Sequence, residues 1–562
     1  MRKILFNSSL ILMSFLFLDH LFVMLSFITK SKFLPFVFPL SILISILLYL
    51  YIEKNKNITE KIWAIFISLS VIAVSLIVSA FYFDLSWDGQ WYHQSAIYHL
   101  ESGWNPIIEP LRTFEKNNST SIIHFPKGSW YYAASVFSTF GNFESGKSIN
   151  FILLFISIFL IYSTVREFGL SKIKSLTITS FVILNPVVWS EITTYLVDGL
   201  LFFYLSIYIL MVFKWFSNPN YKSLFIGAMA IVGMINVKIT GLVFFCVLTF
   251  FLTFYVLAYK RESLVRFVGA HAVVLLISIL IFGYNPYVSN FTKRGHPFYP
   301  IMGTKEYPSV FELTGNDDNE IYETPHNMRG KHLLIRMIYS NFGRPDNAPY
   351  HKEKNAEIIW PFTSKISDWK AYHFHETRVS GFGPYFGVIL VLSFVLLLII
   401  IKFDKKNLWI VCLLLMALFS SLMFSKHFWW PRFGPQMWLI PLISVCFSIF
   451  HPISKKYDIY TWIVAVLIIF NGSVVLFSHM GWETRSSIKL RKQLTELREK
   501  DKPIEIYYGW FIKSIEEKLA HWQIEYETIS RKEIQKGEHK KLTSVVEGYP
   551  NMVLFREKLI LK

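Results

Sequence analysis

The segment Asp84-Leu-Ser-Trp-Asp88-Gly-Gln-Trp-Tyr-His93-Gln sets two carboxylates, two indoles, a phenol and an imidazole within eleven positions. It follows directly on an apolar run, Trp63–Phe83, so the polar groups begin where that run leaves off. A carboxylate at such a boundary, packed with Trp and Tyr, suits general-base work: apolar surroundings favour its neutral form and move its pKa toward the working range. The aromatic rings Trp87, Trp91 and Tyr92 are of the kind that stack on sugars, and they also settle at headgroup depth in any membrane protein. Two readings fit Asp88, as general base or as N-cap of the helix that follows. Asp84 fits an interfacial cap or an orienting second carboxylate. His93 and His99 fit either substrate binding or structural hydrogen bonding.

A second group of residues is His124-Phe-Pro-Lys127-Gly128, followed by the aromatic stretch Ser129–Phe140, which is short for a crossing and suits a helix lying in the interface. Lys127 is placed either to meet a phosphate at the lipid surface or to snorkel. Further on, Asn285–Pro300 is rich in Pro and aromatics and holds Arg294; it suits a loop that closes over a groove, or ordinary interfacial packing. Asn316-Asp-Asp-Asn-Glu320 lacks the glycine and terminal Glu of an EF-hand loop and reads as a solvated turn. His373-Phe-His375-Glu376 is the one metal-like spacing, because an extended strand would turn both imidazoles to one face. No cysteine stands near it, and no residue is assigned as a metal ligand. The sequons at Asn118 and Asn290 carry no weight.

What must position these groups is a membrane bundle. The chain has 562 residues, 53% of them hydrophobic and 18% aromatic. Its apolar residues come in runs of the length a helix needs to cross hydrocarbon. They are Leu5–Ile28, Phe33–Tyr51, Trp63–Phe83, Ile149–Val165, Leu196–Trp215, Leu242–Leu257, Val268–Tyr284, Tyr385–Ile401, Leu408–Phe424, Phe433–Phe450 and Tyr460–Phe477, with weaker ones at Leu176–Trp189 and Leu224–Ile235. The expected class is an all-α polytopic membrane protein of about 11–13 transmembrane helices. The net charge of +17 belongs to turns on one side of the membrane rather than to nucleic-acid binding. Cys246, Cys412 and Cys446 all lie in apolar runs, which argues against disulfides. With Arg2 and Lys3 inside, the basic turns at Lys54–Lys61, Arg166–Lys174, Lys214–Lys222, Lys260–Arg266, Lys402–Lys406 and Lys455–Lys456 all fall in the cytoplasm. Loops 84–147 and 289–383 and the tail 479–562 are then extracytoplasmic. The expected division is a membrane module, 1–478, and a small α/β domain, 479–562, with a helix over Ser487–Lys500 and strands at Ile504–Tyr508, Ile524–Ile529 and Met552–Phe555.

These residues resemble the GT-C superfamily of polytopic membrane glycosyltransferases, which includes protein O-mannosyltransferases and aminoarabinose transferases. Asp88–His93 is similar to the Asp-x-x-x-Tyr-His pattern of bacterial members, His124–Gly128 to a Tyr-Pro-x-Gly-like segment, and Trp430-Pro-Arg432-Phe433-Gly-Pro435 to an Arg-Tyr-x-x-Pro element. The chain departs from the pattern in having Gly89 rather than a second acid after Asp88, Phe433 for Tyr, and two runs ahead of the catalytic-type helix. The resemblance implies a GT-C-like fold and a sugar transferred from a polyprenyl-phosphate donor to an extracytoplasmic glycan, lipid or protein acceptor. It implies Asp88 as base and Arg432 at the donor phosphate, and some members of the group use a divalent metal ion. Such chemistry needs cations for the leaving phosphate; the candidates are Lys127, Lys238, Arg294, Arg344, Arg378 and Arg432. The substrate-binding set expected around Asp88 is Asp84, Trp91, Tyr92, His93, His124, Lys127, Arg294 and Arg432. Two other classes fit the same architecture, a polysaccharide polymerase or ligase and a lipid-linked glycan flippase. A flippase would show charges within the spans or an inverted repeat; only Asp19 and Lys238, both near span ends, stand out, and no repeat does.

Overall fold

In hydrocarbon every backbone polar group must be satisfied within its own segment, which leaves the helix as the form these runs can take. The computed structural model of the chain is helical throughout its apolar part. It describes all residues except 32–33, 56, 112–118, 310–322, 348–349, 351–352, 361, 404, 426, 452–454, 501, 545–552 and 558–562. Lys32, Phe33, Lys56, Asn118, the Asn316–Glu320 cluster, Lys426 and Met552 lie outside the described residues.

Helices α1 (Arg2–Thr29), α2 (Leu34–Ile52) and α3 (Ile58–Phe81) precede the first long loop. Then come α4 (Gly128–Phe140), α5 (Ser148–Glu167), α6 (Lys172–Ile183), α7 (Asp198–Ser217), α8 (Tyr221–Val237), α9 (Ile239–Tyr259) and α10 (Leu264–Ile277). The second long loop is followed by α11 (Phe386–Phe403), α12 (Lys405–Leu422), α13 (Leu439–Phe450) and α14 (Lys455–Lys500), with α15 (Ile512–His521) in the tail. Among the described residues, nine helices are long and apolar enough to cross a membrane, and three more apolar helices are shorter. Together they fall within the expected eleven to thirteen, and the chain is a multi-pass membrane protein.

Enclosure separates inner helices from outer ones. In α5 and α7, 78% of the apolar window is buried, whereas in the segment containing α10 it is 17%. The outer helices present Ile77, Leu43, Val265, Val273 and Phe394 outward; bare apolar side chains in such numbers suit contact with lipid tails rather than water.

Three expectations change in detail. Leu176–Trp189 is two helices, α6 and the turn Pro186–Glu191, because Pro186 cannot continue the ladder and Asn185 caps the new helix, accepting from Val187 N at 3.0 Å. Ser129–Phe140 does form a helix, α4, but it is buried from Gly128 to Val136 against α1 and α2 rather than lying flat at an interface. The last crossing and the charged run Ser487–Lys500 are one unbroken 46-residue helix, α14. Its length, about 69 Å, exceeds a ~30 Å hydrocarbon core more than twofold, so its outer part stands clear of the lipid.

The tail closes on that projecting end. Strands β1 (Ile504–Tyr507), β2 (Tyr526–Thr528), β3 (Lys540–Lys541) and β4 (Leu554–Glu557) form one sheet in the order β2-β1-β4-β3, with β1 parallel to β2 and antiparallel to β4. Leu490, Leu494 and Leu497 of α14 share an apolar cluster with Ile504, Ile506, Phe511 and Ile515, and also with Phe83 and Leu85. The tail therefore packs directly on the segment leading to Asp88.

Candidate active site

Five polar elements converge at one end of the bundle. Asp88 arrives from the turn after α3, Asp198 from the head of α7, Lys238 from the break between α8 and α9, Glu376 from the second long loop, and Arg432 from the turn before α13. Local structure fixes each of them. Asp198 sits in the first turn of α7, where the positive end of the helix dipole favours a carboxylate. Lys238 lies in extended conformation between two helices, and the turn is so tight that a Cβ at Gly241 would overlap the Met234 carbonyl. Arg432 lies within the short turn Pro431–Phe433, and the Trp430 and Phe433 rings stand 5.5 and 5.3 Å from its guanidinium.

The Arg432 guanidinium is shared among three carboxylates. Nη2 donates to Asp88 Oδ2 at 2.9 Å, Nε donates to Asp198 Oδ2 at 3.1 Å, and Nη1 pairs with Glu376 Oε1. Lys238 pairs with the other oxygen of Asp198 and sits 4.7 Å over the Phe433 ring. Asp198 is fully enclosed, while the side chains of Asp88 and Glu376 stay 21% and 20% exposed. These two carboxylates are thus the accessible side of the ring. Burial raises the Glu376 carboxyl, and Arg432 opposes that shift. Glu191 lies close behind; burial and Asp198 hold its carboxyl well above the usual range, and it accepts from Gly199 N at 2.8 Å.

The Asp88 side chain makes no cap hydrogen bond to the helix it precedes. Of the two readings of the sequence, the cap is excluded. The turn that follows, Gly89–His93, is π-helical, a conformation that widens the backbone and is common at functional positions. Gly89 explains the departure from a second acid at that position, because a Cβ there would overlap Asp84 Oδ2 and Ser86 Oγ.

Comparison with protein-family models gives no match, and none of the curated proteins matches. Among solved structures the chain is similar to ArnT from Cupriavidus metallidurans bound to undecaprenyl phosphate, at 11% identity over 84% of this chain and 86% of that one, with a TM-score of 0.42. It is likewise similar to the same ArnT in the apo state, at 11% identity over 82% and 85%, with a TM-score of 0.44. A likeness at that level carries no weight for the site, which stands on its own geometry.

The structure brings Tyr92 and His93 beside Asp88. Their rings stack at 4.3 Å, and burial together with the Asp88 charge holds the Tyr92 hydroxyl well above its ordinary value. The Trp130 indole donates to His93 Nδ1 at 2.6 Å, so the ring proton is on Nε2, which has no hydrogen-bond partner among the described residues. Burial pushes His93 down to about 3, leaving a neutral imidazole behind the carboxylate.

The other expected site residues sit elsewhere. Asp84 is fully buried: it accepts from Ser86 N at 2.8 Å, Ser86 Oγ at 2.6 Å and Tyr195 N at 2.7 Å, and burial raises its carboxyl. It organises the turn before Asp88 and is closed to a ligand. Trp91 faces the tail, 6.3 Å from Trp510, and Trp87 is 5.3 Å from Phe511. His124 faces Asn290 at 2.7 Å. Lys127, expected at a lipid phosphate, is 1% exposed and donates to Ile123 O, Phe125 O and Asn285 Oδ1 at 2.9, 2.9 and 2.6 Å. All three ammonium protons are thereby engaged, so Lys127 fastens the first loop to Asn285. Since Asn285 and Asn290 both tie into the first loop, the start of the second loop is pinned there. Arg294 stacks on Tyr299 and Tyr307, and Arg344 pairs with Glu357 and Asp368. Arg378 lies 4.0 Å over Trp430, at the edge of the ring.

The residues that sequence reading missed are Asp198, Glu191 and Glu376. Asp198 had a signal, an acid in the first turns of an otherwise apolar run, which is costly unless it is paired or functional. Glu376 was read only as part of a metal-like spacing.

Proposed function

We propose that this chain transfers a sugar from a polyprenyl-phosphate donor to an acceptor hydroxyl at the outer face of the membrane, with Asp88 as general base. The observation that carries the reading is the part-exposed carboxylate of Asp88 held by Arg432 at the mouth of a membrane bundle, with Lys238 beside it. The donor class follows from the superfamily resemblance, and the outward side from the clustering of basic turns at the opposite end.

In this reading Asp88 takes the proton of the acceptor hydroxyl as its oxygen bonds to the anomeric carbon. The bond between that carbon and the phosphate oxygen breaks, and the polyprenyl phosphate leaves with the electron pair. Arg432 and Lys238 neutralise the charge that develops there. Arg432 pairs with three carboxylates, so an arriving phosphate competes with Asp88 for the guanidinium. That exchange frees the base when the donor is in place. Glu376 keeps Arg432 oriented through the exchange, and His93, neutral and buried, holds the floor under Asp88. The tail, packed on the Asp88 segment, forms a unit with the outer half of α14 and roofs the site from one side.

Replacing Asp88 with Asn tests the base. A general base contributes roughly 10²–10⁴-fold, and the isosteric amide should lose that factor in transfer assays on membranes while the purified variant unfolds like the parent. Full activity in a normally folded Asp88→Asn protein would sink the proposal and favour a polymerase or ligase that works through later loops. Lipid-linked intermediates in a deletion strain separate the flippase: unprocessed donor should accumulate at the outer face, and inner-face accumulation would refute the transferase.

A further inference from the structure

Three buried side chains meet beside the Arg432 ring but outside it. His375 comes from the turn after the short helix Ile366–His373, not from a strand; both histidine rings pack on Trp482, His373 stacked and His375 edge-on. His479 and Glu483 stand one helical turn apart on α14 and so share a face. The ligating atoms of the three residues lie within 4.8 Å of one another. His375 is 4% exposed, and the other two are fully enclosed.

The hydrogen bonds around the cluster leave a lone pair facing a carboxylate. His479 Nδ1 lies 3.2 Å from the Tyr372 carbonyl oxygen, which can only accept, so Nδ1 carries the ring proton. His479 Nε2 then presents its lone pair toward Glu483 Oε1, 3.8 Å away. His375 Nε2 is hydrogen-bonded to that same oxygen through a proton that metal binding would displace. Neither His479 Nε2 nor Glu483 Oε2 has a hydrogen-bond partner among the described residues. Two acceptors facing each other away from water need a proton or a metal ion between them.

We propose that His375, His479 and Glu483 bind a divalent zinc-class ion that ties the second long loop to the outer half of α14. Two imidazole nitrogens and a carboxylate oxygen are a common zinc set, with the fourth position left to water or to the second carboxylate oxygen. Nitrogen donors disfavour magnesium and calcium, which take oxygen. At bond lengths of 2.0–2.1 Å, tetrahedral ligands stand about 3.3 Å apart, so side-chain rotations of about 1 Å would admit the ion. The Tyr372 carbonyl supplies the outer contact that fixes the ring of a metal-bound histidine. The ion lies one residue from Glu376, and its role is positioning: with His375 anchored to α14, Glu376 is held in register with Arg432. This inference rests on the cluster alone and not on the transferase reading.

The test uses the whole protein in detergent micelles, incubated with zinc chloride, separated from free metal by gel filtration and assayed by plasma mass spectrometry. The wild type should retain about one zinc per chain. His479→Gln and Glu483→Gln should each lose it, and His373→Gln should keep it. Zinc-edge absorption of the wild type should show two imidazoles in the first shell. Chelation should lower the wild-type thermal midpoint, and added zinc should restore it, so the proposal can be judged even if the variants fold poorly. A wild type that retains no stoichiometric zinc, a first shell without histidine, or zinc retained by both ligand variants would overturn the proposal whatever the enzyme's activity.

Discussion

Replacing Arg432 with Gln removes one cation from three carboxylates at once, and the structure sets how much that should matter. Removing one member of a buried ion pair typically costs about 3–5 kcal/mol, because a charge is left uncompensated in low dielectric. Only Asp198 is fully enclosed here, and it keeps Lys238. Asp88 and Glu376, each about one-fifth exposed, can hydrate, so their share is closer to the ~0.2–1 kcal/mol of exposed pairs. The expected loss is therefore about 3 kcal/mol, at the lower end of the buried range. Arg432→Lys keeps the charge but loses the fork that reaches three acceptors, and should fall between the two, with a loss of about 1–2 kcal/mol. Adding Asp198→Asn to Arg432→Gln removes the buried carboxylate that has lost one of its two cations, and the double variant should recover about 1–2 kcal/mol relative to the sum of the singles. Chemical unfolding in mixed micelles, followed by tryptophan fluorescence, measures the parent, the three single variants and the double variant. An Arg432→Gln variant within about 0.5 kcal/mol of the parent, or a strictly additive cycle, would refute the ring as a charged, desolvated unit.

Gly89→Ala should destabilise by about 1–3 kcal/mol, because Asp84 is held by Ser86 and Tyr195 and has no room to yield; unfolding midpoints measure it, and a neutral result would show that the turn is looser than described. Lys127→Met leaves one buried and two part-buried acceptors without their ammonium donor and should lower stability by roughly 1–3 kcal/mol while leaving the donor KM unchanged. A tenfold rise in KM in steady-state assays would restore Lys127 as a phosphate ligand. In a variant lacking Cys246, Cys412 and Cys446, a membrane-impermeant maleimide on intact cells should label His539→Cys in the tail and not Lys172→Cys at the head of α6; the reverse pattern would invert the proposed orientation.

The bundle was legible in the sequence because the signal for a crossing is local: a run of apolar residues long enough to span hydrocarbon needs no partner to declare itself. Asp88 and Arg432 were legible for a similar reason, each standing among aromatics at the end of such a run. Their direct contact was not, since 344 positions separate them and only the folded bundle brings the two turns together. Asp198 was hidden by its own helix, where one acid in an apolar run reads as a span margin. Lys127 shows the opposite error. A lysine beside aromatics suggested an anion, yet three backbone and side-chain oxygens claim it, and no local pattern announces acceptors contributed by Asn285. The continuity of α14 escaped because its composition changes from apolar to charged near His479, while the backbone ladder is indifferent to that change.

That continuity makes α14 a lever. One arm lies among lipid-facing helices, and the other carries the sheet, the residues His479 and Glu483, and the apolar cluster that grips Phe83 and Leu85 just ahead of Asp88. A rigid rod of about 69 Å that tilts by about 5° around its midpoint moves its outer end by about 3 Å. Bilayer thickness or the seating of a long lipid against the inner arm would thus be felt as a shift of the roof over Asp88. The two ends of the molecule are mechanically one part, and a glycine pair introduced near Phe477 would uncouple them without touching any charged group.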